Sequence, residues 1–296
     1  MSATTNTTPA KIVLVHGMNM QKYDKPALER LWYTALIKSL KQTDWGKAHD
    51  NQLPKPEEVK LAYWADLFKW PKLEDEEKAS KGLIDTPWEV YYDFCRGLVR
   101  VADKMASFNH AGRPSSAVAA WLDKLVAQTA VYMHNGPVYH PTEGRGDGAF
   151  KQVQARFEDA LTSETKLVIG HSLGSVVAYE GLCRNPHRVP SFITVGSPLA
   201  SPDLILEPLR QRSALLHGEG TDGRLKWPGV ERWTNFYAGA DVWCVPVEGL
   251  AQLFPDVQDR PVDHGSTLTP SETHAFTSYL ENHIAIGEAI AEALDR

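Results

Sequence analysis

Apolar residues along this chain gather in short runs, at Ile12 to Val15, Val59 to Trp64, Leu167 to Ile169, Phe192 to Val195 and Thr234 to Ala238, with a weaker run at Val257 to Val262. Runs this short, bounded by polar and turn-forming residues, suit strands buried inside a domain. Between them the apolar positions move to a spacing of three and four, which predicts helices over Pro26 to Leu40, Ala149 to Thr162, Ser175 to Arg184 and Glu272 to Leu294. The last follows Thr269-Pro270-Ser271-Glu272, a pattern that satisfies the free amides of a helix start. Strands alternating with helices predict an α/β fold, a mostly parallel sheet of about six strands covered by helices on both faces.

One interval breaks the alternation. Between Asp66 and Gly148 two helical patterns, Pro87 to Met105 and Ser116 to Met133, precede the loop-forming segment HNGPVYHPTEGRGDG at 134–148. We read 66–148 as an insertion on the core, a helical cap or lid over the site that the sheet presents. Its aromatic residues, among them Phe68, Trp70 and Trp88, together with Trp64 just before it, suit either core packing or the wall of an acyl pocket. Residues 1–10 form a Thr-rich polar tail expected to be disordered, which leaves 11–296 as one domain.

Composition narrows the partners. With 296 residues, 43% of them hydrophobic, the chain can bury a large core. A formal charge of −6 and the lack of a dominant basic block argue against nucleic acid as a partner. The amino terminus has neither the basic flank nor the apolar run of a secretion signal, and no stretch is long enough to span a bilayer, so a cytoplasmic location is expected. The 3 cysteines, Cys95, Cys183 and Cys244, are widely spaced and form no CxxC pair, which suits buried thiols better than a disulfide framework or a zinc site.

The strongest chemical signal is LVIGHSLGSVVAYEGL, residues 167–182, where a buried strand meets a glycine-flanked serine and a helix follows at once. A turn that passes so abruptly from strand to helix forces Ser172 into a sparsely populated backbone conformation, lifts its hydroxyl above the sheet edge and aims the first helical amides at the same point. A serine hydroxyl is a poor nucleophile at neutral pH unless a base and an orienting carboxylate assist it. Asp241, in the loop after NFYAGA, stands beyond a strand end where the acid is required; Asp203, after GSPLASP, also follows a strand and is the alternative. Of the 11 histidines, His264, His274 and His283 follow the last strand. His283 falls inside the expected terminal helix. His274, leading into that helix, is preferred as base, with His264 the alternative at the strand end. An oxyanion would take one amide from Leu173, next after the serine, and a second from Met18, after the opening strand and His16-Gly17.

With VLVHGM, GHSLGS, TVGSPL, NFYAGADVW and a histidine leading into a terminal helix, the chain resembles the α/β-hydrolases, most closely the lipase-like serine esterases. The resemblance spans residues 11 to about 290, leaving the tail and the insertion without counterparts. It implies a Ser172, Asp241, His274 triad, Met18 and Leu173 as oxyanion donors, hydrolysis of a small or lipid-like acyl ester, and no metal or cofactor. It departs from the family in starting at the His16-Gly17 strand, without two leading strands, and in carrying its insertion before the nucleophile. The spacing from His274 to Tyr279 also differs, which keeps His264 in play. The same machinery would serve a thioesterase, an acyltransferase or a peptidase, and a hydrolase-like scaffold that only binds is the non-catalytic alternative.

Overall fold

The computed structural model describes residues 9–69, 128–136, 138, 148–217, 225–241, 249–264, 268 and 270–296. Its centre is a sheet of six parallel strands: β1 (Ile12–Val15), β2 (Val59–Ala62), β3 (Leu167–His171), β4 (Val189–Val195), β5 (Val230–Ala238) and β6 (Gln258–Val262), in the order β2-β1-β3-β4-β5-β6. All four residues of β1 and all five of β3 are buried, because helices cover both sides of the sheet. Strand alternation divides the core accordingly. Val13, Val15 and Val168 face one layer, and Ile12, Leu14, Leu167 and Ile169 face the other.

The first layer contains α3 (Ala149–Glu158), α4 (Leu173–Arg184) and α5 (Glu207–His217). The second contains α1 (Lys25–Gln42) with the short α2 (Asp44–Ala48), and α6 (Pro270–Thr273), α7 (Phe276–Asn282) and α8 (Ile284–Leu294). Helix α1 begins where the Asp24 carboxylate accepts the Ala27 amide at 2.8 Å, with Pro26 in the first turn. Its apolar stripe, Leu28, Trp32, Ala35, Leu36 and Leu40, lies against the sheet and the terminal helices. Trp32 stacks on Phe276 with ring centroids 3.6 Å apart. Among the described residues no helix is long and apolar enough to cross a membrane.

The expected terminal helix is corrected to three. Ala275 and His283 both have extended backbone and break the helical path, and the His283 ring is hydrogen-bonded to His264. The patterning also leaves out α5. Ala10, assigned to the tail, is fully buried and its carbonyl accepts from the hydroxyls of Thr162 and Thr165. Trp64, Leu67 and Phe68 belong to the core, as do Val131, Tyr132 and Met133 at the far end of the insertion. The insertion helix 87–105, most of 116–133, Trp70, Trp88, Cys95 and Cys244 lie outside the described residues. Cys183 is a free thiol.

Because every strand runs the same way, the carboxyl ends of all six open on one edge. From β1 the chain goes outward to β2 and returns on the other side of β1 as β3, so the order of connection reverses between them. In open α/β sheets a crevice forms at such a reversal. The residues that leave β1 and β3 there are His16-Gly17 and Ser172.

Candidate functional site

Ser172 has φ 54° and ψ −133°, a conformation that side chains rarely adopt, at the junction of β3 and α4. Neighbouring bonds hold it there. Its amide donates to the Val195 carbonyl at 3.1 Å, and its own carbonyl accepts from the Ser175 amide at 2.9 Å and the Ser175 hydroxyl at 2.6 Å. Since Ser175 has spent its one proton, the hydroxyl of Ser197 donates to it at 2.6 Å, and Ser197 in turn accepts the Leu199 amide at 3.3 Å. The Ser172 side chain makes no capping bond to the helix it starts, although serine is a favoured residue for that task. Its hydroxyl is thus left to other chemistry.

The two flanking glycines are needed for space. A Cβ on Gly170 would lie 2.6 Å from Ser175 Cα, and one on Gly174 would lie 2.1 Å from the Val15 carbonyl oxygen. The start of α4 therefore sits tightly over β1 and β3, with the Leu173 amide in its first turn, at the positive end of the helix dipole.

His16 is fully buried and stacks on Trp64, centroids 4.3 Å apart. The Trp64 amide donates to His16 Nε2 at 3.0 Å, so the ring proton is on Nδ1, which donates to the Gly17 carbonyl at 2.6 Å. Burial pushes its pKa down to about 4, and the ring stays neutral at physiological pH. Turning the Gly17 carbonyl toward His16 turns the Met18 amide, on the other side of that trans peptide, away from it. Gly17 itself lies against the serine: a Cβ there would be 2.6 Å from Ser172 Cβ and 3.1 Å from Ser172 Oγ. Gly17, the residue before Met18, thus lies against Ser172 from the β1 side, and Leu173 follows Ser172 at the start of α4.

Asp241 follows β5, with its side chain fully buried. It accepts from His274 Nδ1 at 2.9 Å and 3.0 Å, one contact to each carboxylate oxygen, and from the Tyr279 hydroxyl at 2.7 Å. The carboxylate fixes the Nδ1–H tautomer of His274, leaving Nε2 as the basic nitrogen. Gly196, at φ 58° just past β4, brings its backbone under this pair: a Cβ there would meet Asp241 Oδ2 at 3.0 Å and His274 Cε1 at 3.3 Å. His171, the residue before Ser172, donates from Nε2 to the His274 carbonyl at 2.6 Å.

Of the two base candidates, then, His274 is the one paired with Asp241. His264 Nδ1 is instead hydrogen-bonded to His283 Nε2 at 2.8 Å, and its ring packs edge-on against Tyr279. His283, expected inside a helix, forms the break between α7 and α8. Asp203 falls in the helical turn Pro202–Leu206, and its side chain lies outside the described residues. The sequence reading leaves out the contacts of His171, Gly196 and Tyr279 with the Asp241–His274 pair. Tyr279 entered only as a spacing marker, and His171 was visible only as a polar residue in an apolar strand.

A second buried polar network lies behind α4. Arg212 donates from Nε and Nη2 to Glu180 at 2.8 Å and 3.0 Å, and also donates to the Met133 carbonyl. The Tyr132 hydroxyl donates to Glu180 at 2.8 Å, joining the far end of the insertion to the helix that follows Ser172. Among the described residues no group of three or more His, Cys, Asp or Glu side chains is placed to hold a metal ion. Comparison with family models, with curated proteins and with solved structures finds no match to this chain. The chain is an α/β protein with a six-stranded parallel sheet.

Proposed function

We propose that the chain is a serine hydrolase of the α/β-hydrolase kind that cleaves a carboxylic ester through an acyl-enzyme on Ser172. The observation that carries this reading is the buried carboxylate of Asp241 holding Nδ1–H of a buried imidazole, His274, whose loop is bonded to the residue next to the strained serine. In this mechanism His274 Nε2 takes the Ser172 proton as Oγ attacks the ester carbonyl, and Asp241 stabilises the imidazolium. The tetrahedral oxyanion takes hydrogen bonds from the Met18 and Leu173 amides. His274 returns the proton to the leaving alkoxide, which departs as alcohol. Water then adds to the acyl-enzyme with His274 again accepting the proton, and collapse of the intermediate breaks the bond to Ser172 Oγ, which takes the proton back from His274 as the carboxylic acid leaves.

Turnover of p-nitrophenyl butyrate by the full chain tests the proposal. Ser172→Ala is expected to abolish it. Asp241→Asn, in which the amide favours the wrong imidazole tautomer, is expected to lower kcat by about 10⁴-fold. Activity that survives Ser172→Ala sinks the proposal.

A further inference from the structure

His171 is the last residue of β3. The alternation along that strand puts it on the same side as Leu167 and Ile169, the side packed against α1 and the terminal helices, while the chain turns upward at Ser172. The ring packs edge-on against the stacked pair of Trp32 and Phe276, at centroid distances of 5.8 Å from each, and 4.8 Å from the ring of His274. It is 2% exposed. In an apolar layer a leucine or phenylalanine would fill this position without a polar atom to satisfy. The imidazole instead spends Nε2–H on the His274 carbonyl at 2.6 Å and leaves Nδ1 buried with no hydrogen-bond partner. An unsatisfied buried nitrogen is a cost that packing alone does not explain.

The bond it makes joins two parts of the molecule distant in sequence. On one side is the residue covalently next to the candidate nucleophile, and on the other is the backbone of the candidate base. His274 sits in a two-residue break between helices, with α6 ending at Thr273, Ala275 extended and α7 starting at Phe276. Its side chain is oriented by Asp241 through Nδ1, and the bond from His171 is a separate attachment made to its main chain. We propose that His171 is a positioning residue, whose Nε2–H sets the reach of His274 toward Ser172. This rests on the hydrolase reading above. Burial keeps the ring neutral, with its pKa pushed down to about 3, so it places no charge beside the imidazolium that forms during the reaction.

The two ring nitrogens give a sharp test. In glutamine the side-chain nitrogen stands the same number of bonds from Cα as Nε2 of histidine, whereas in asparagine it corresponds to Nδ1. His171→Gln, His171→Asn and His171→Phe are compared in the full chain by steady-state kinetics on p-nitrophenyl butyrate and by the rate of Ser172 modification with a fluorophosphonate. Melting temperatures are measured alongside. Displacement of a base by about 1 Å costs on the order of 10²-fold in rate. Asn and Phe are expected to lose about that factor in kcat with KM within about twofold, while Gln keeps activity within about fivefold of the parent, whatever the order of the melting temperatures. Gln and Phe variants that fall equally, or Asn that keeps more activity than Gln, would overturn the role of Nε2–H. Should Phe fail to fold, the Asn and Gln pair decides the matter. A parent chain that does not label at Ser172 removes the hydrolase reading and this inference together, whereas labelling with indistinguishable Gln and Phe variants removes this inference alone.

Discussion

Adding one methyl group at Gly17 should disable the site while leaving the fold in place. The Cβ of Gly17→Ala would lie 2.6 Å from Ser172 Cβ and 3.1 Å from the His171 carbonyl oxygen. Ordinary carbon contacts are about 3.6 Å, so one side must retreat by about 1 Å. Ser172 cannot do so easily, because its amide and carbonyl are both tied and the following helix sits directly on β1 and β3. The Gly17 segment moves instead, and the Met18 amide moves with it. No backbone penalty adds to this, since Gly17 is not among the positive-φ residues. Loss of one oxyanion donor costs about 2.7 to 4 kcal/mol in the barrier, which is about 10² to 10³ in kcat. The assay is kcat and KM for p-nitrophenyl butyrate, with far-ultraviolet circular dichroism and melting temperature to establish folding. A folded Gly17→Ala chain that keeps kcat within about threefold would refute the placement of the Met18 amide at the reacting carbonyl.

Other outcomes follow from the same geometry. His16 and His171 are fully buried, with pKa values lowered from 6.5 to about 4 and about 3, so the unfolded chain binds protons that the folded chain does not. Their contribution is complete above pH 6.5 and is lost as pH falls toward those lower values; at pH 5 each removes about 2 kcal/mol of stability relative to pH 7. Urea unfolding at the two pH values measures this, and a His171→Phe chain that loses as much stability as its parent would contradict it. Arg212→Ala strands the buried Glu180 carboxylate with Tyr132 as its remaining side-chain donor among the described residues and should destabilise by about 3 kcal/mol in urea unfolding. A loss below about 1 kcal/mol would show that Glu180 is solvated. Replacing the base candidate that bonds His283 rather than Asp241, His264→Gln, should leave kcat within about fivefold, while His274→Gln should lower it by at least about 10³-fold, and the reverse order would exchange their roles.

What the sequence reveals here depends on how local each feature is. The strand positions follow from short apolar runs, and the strand-to-helix turn from the crowding of Gly170, Ser172 and Gly174, which only close backbone approach explains. The pairing of Asp241 with His274 was legible from chain order, because each follows a strand that ends on the same edge. The terminal segment was misread because its breaks carry no local signal. Ala275 and His283 are compatible with a helix, and the extended backbone at each accompanies distant contacts: the stacking of Trp32 on Phe276, the Tyr279 bond to Asp241 and the His283 bond to His264. His171 and His16 look alike in sequence as polar residues near apolar strand ends. Only packing reveals that each donates to a backbone carbonyl, in one case that of Gly17 and in the other that of His274.

The central claim is that Ser172 is an activated nucleophile, and intact-protein mass after exposure to a fluorophosphonate tests it most directly. The account predicts one adduct that maps by peptide analysis to Ser172, is absent from Ser172→Ala and forms at a sharply reduced rate in His274→Gln. An unmodified parent chain, or an adduct on another residue that persists in Ser172→Ala, would contradict it.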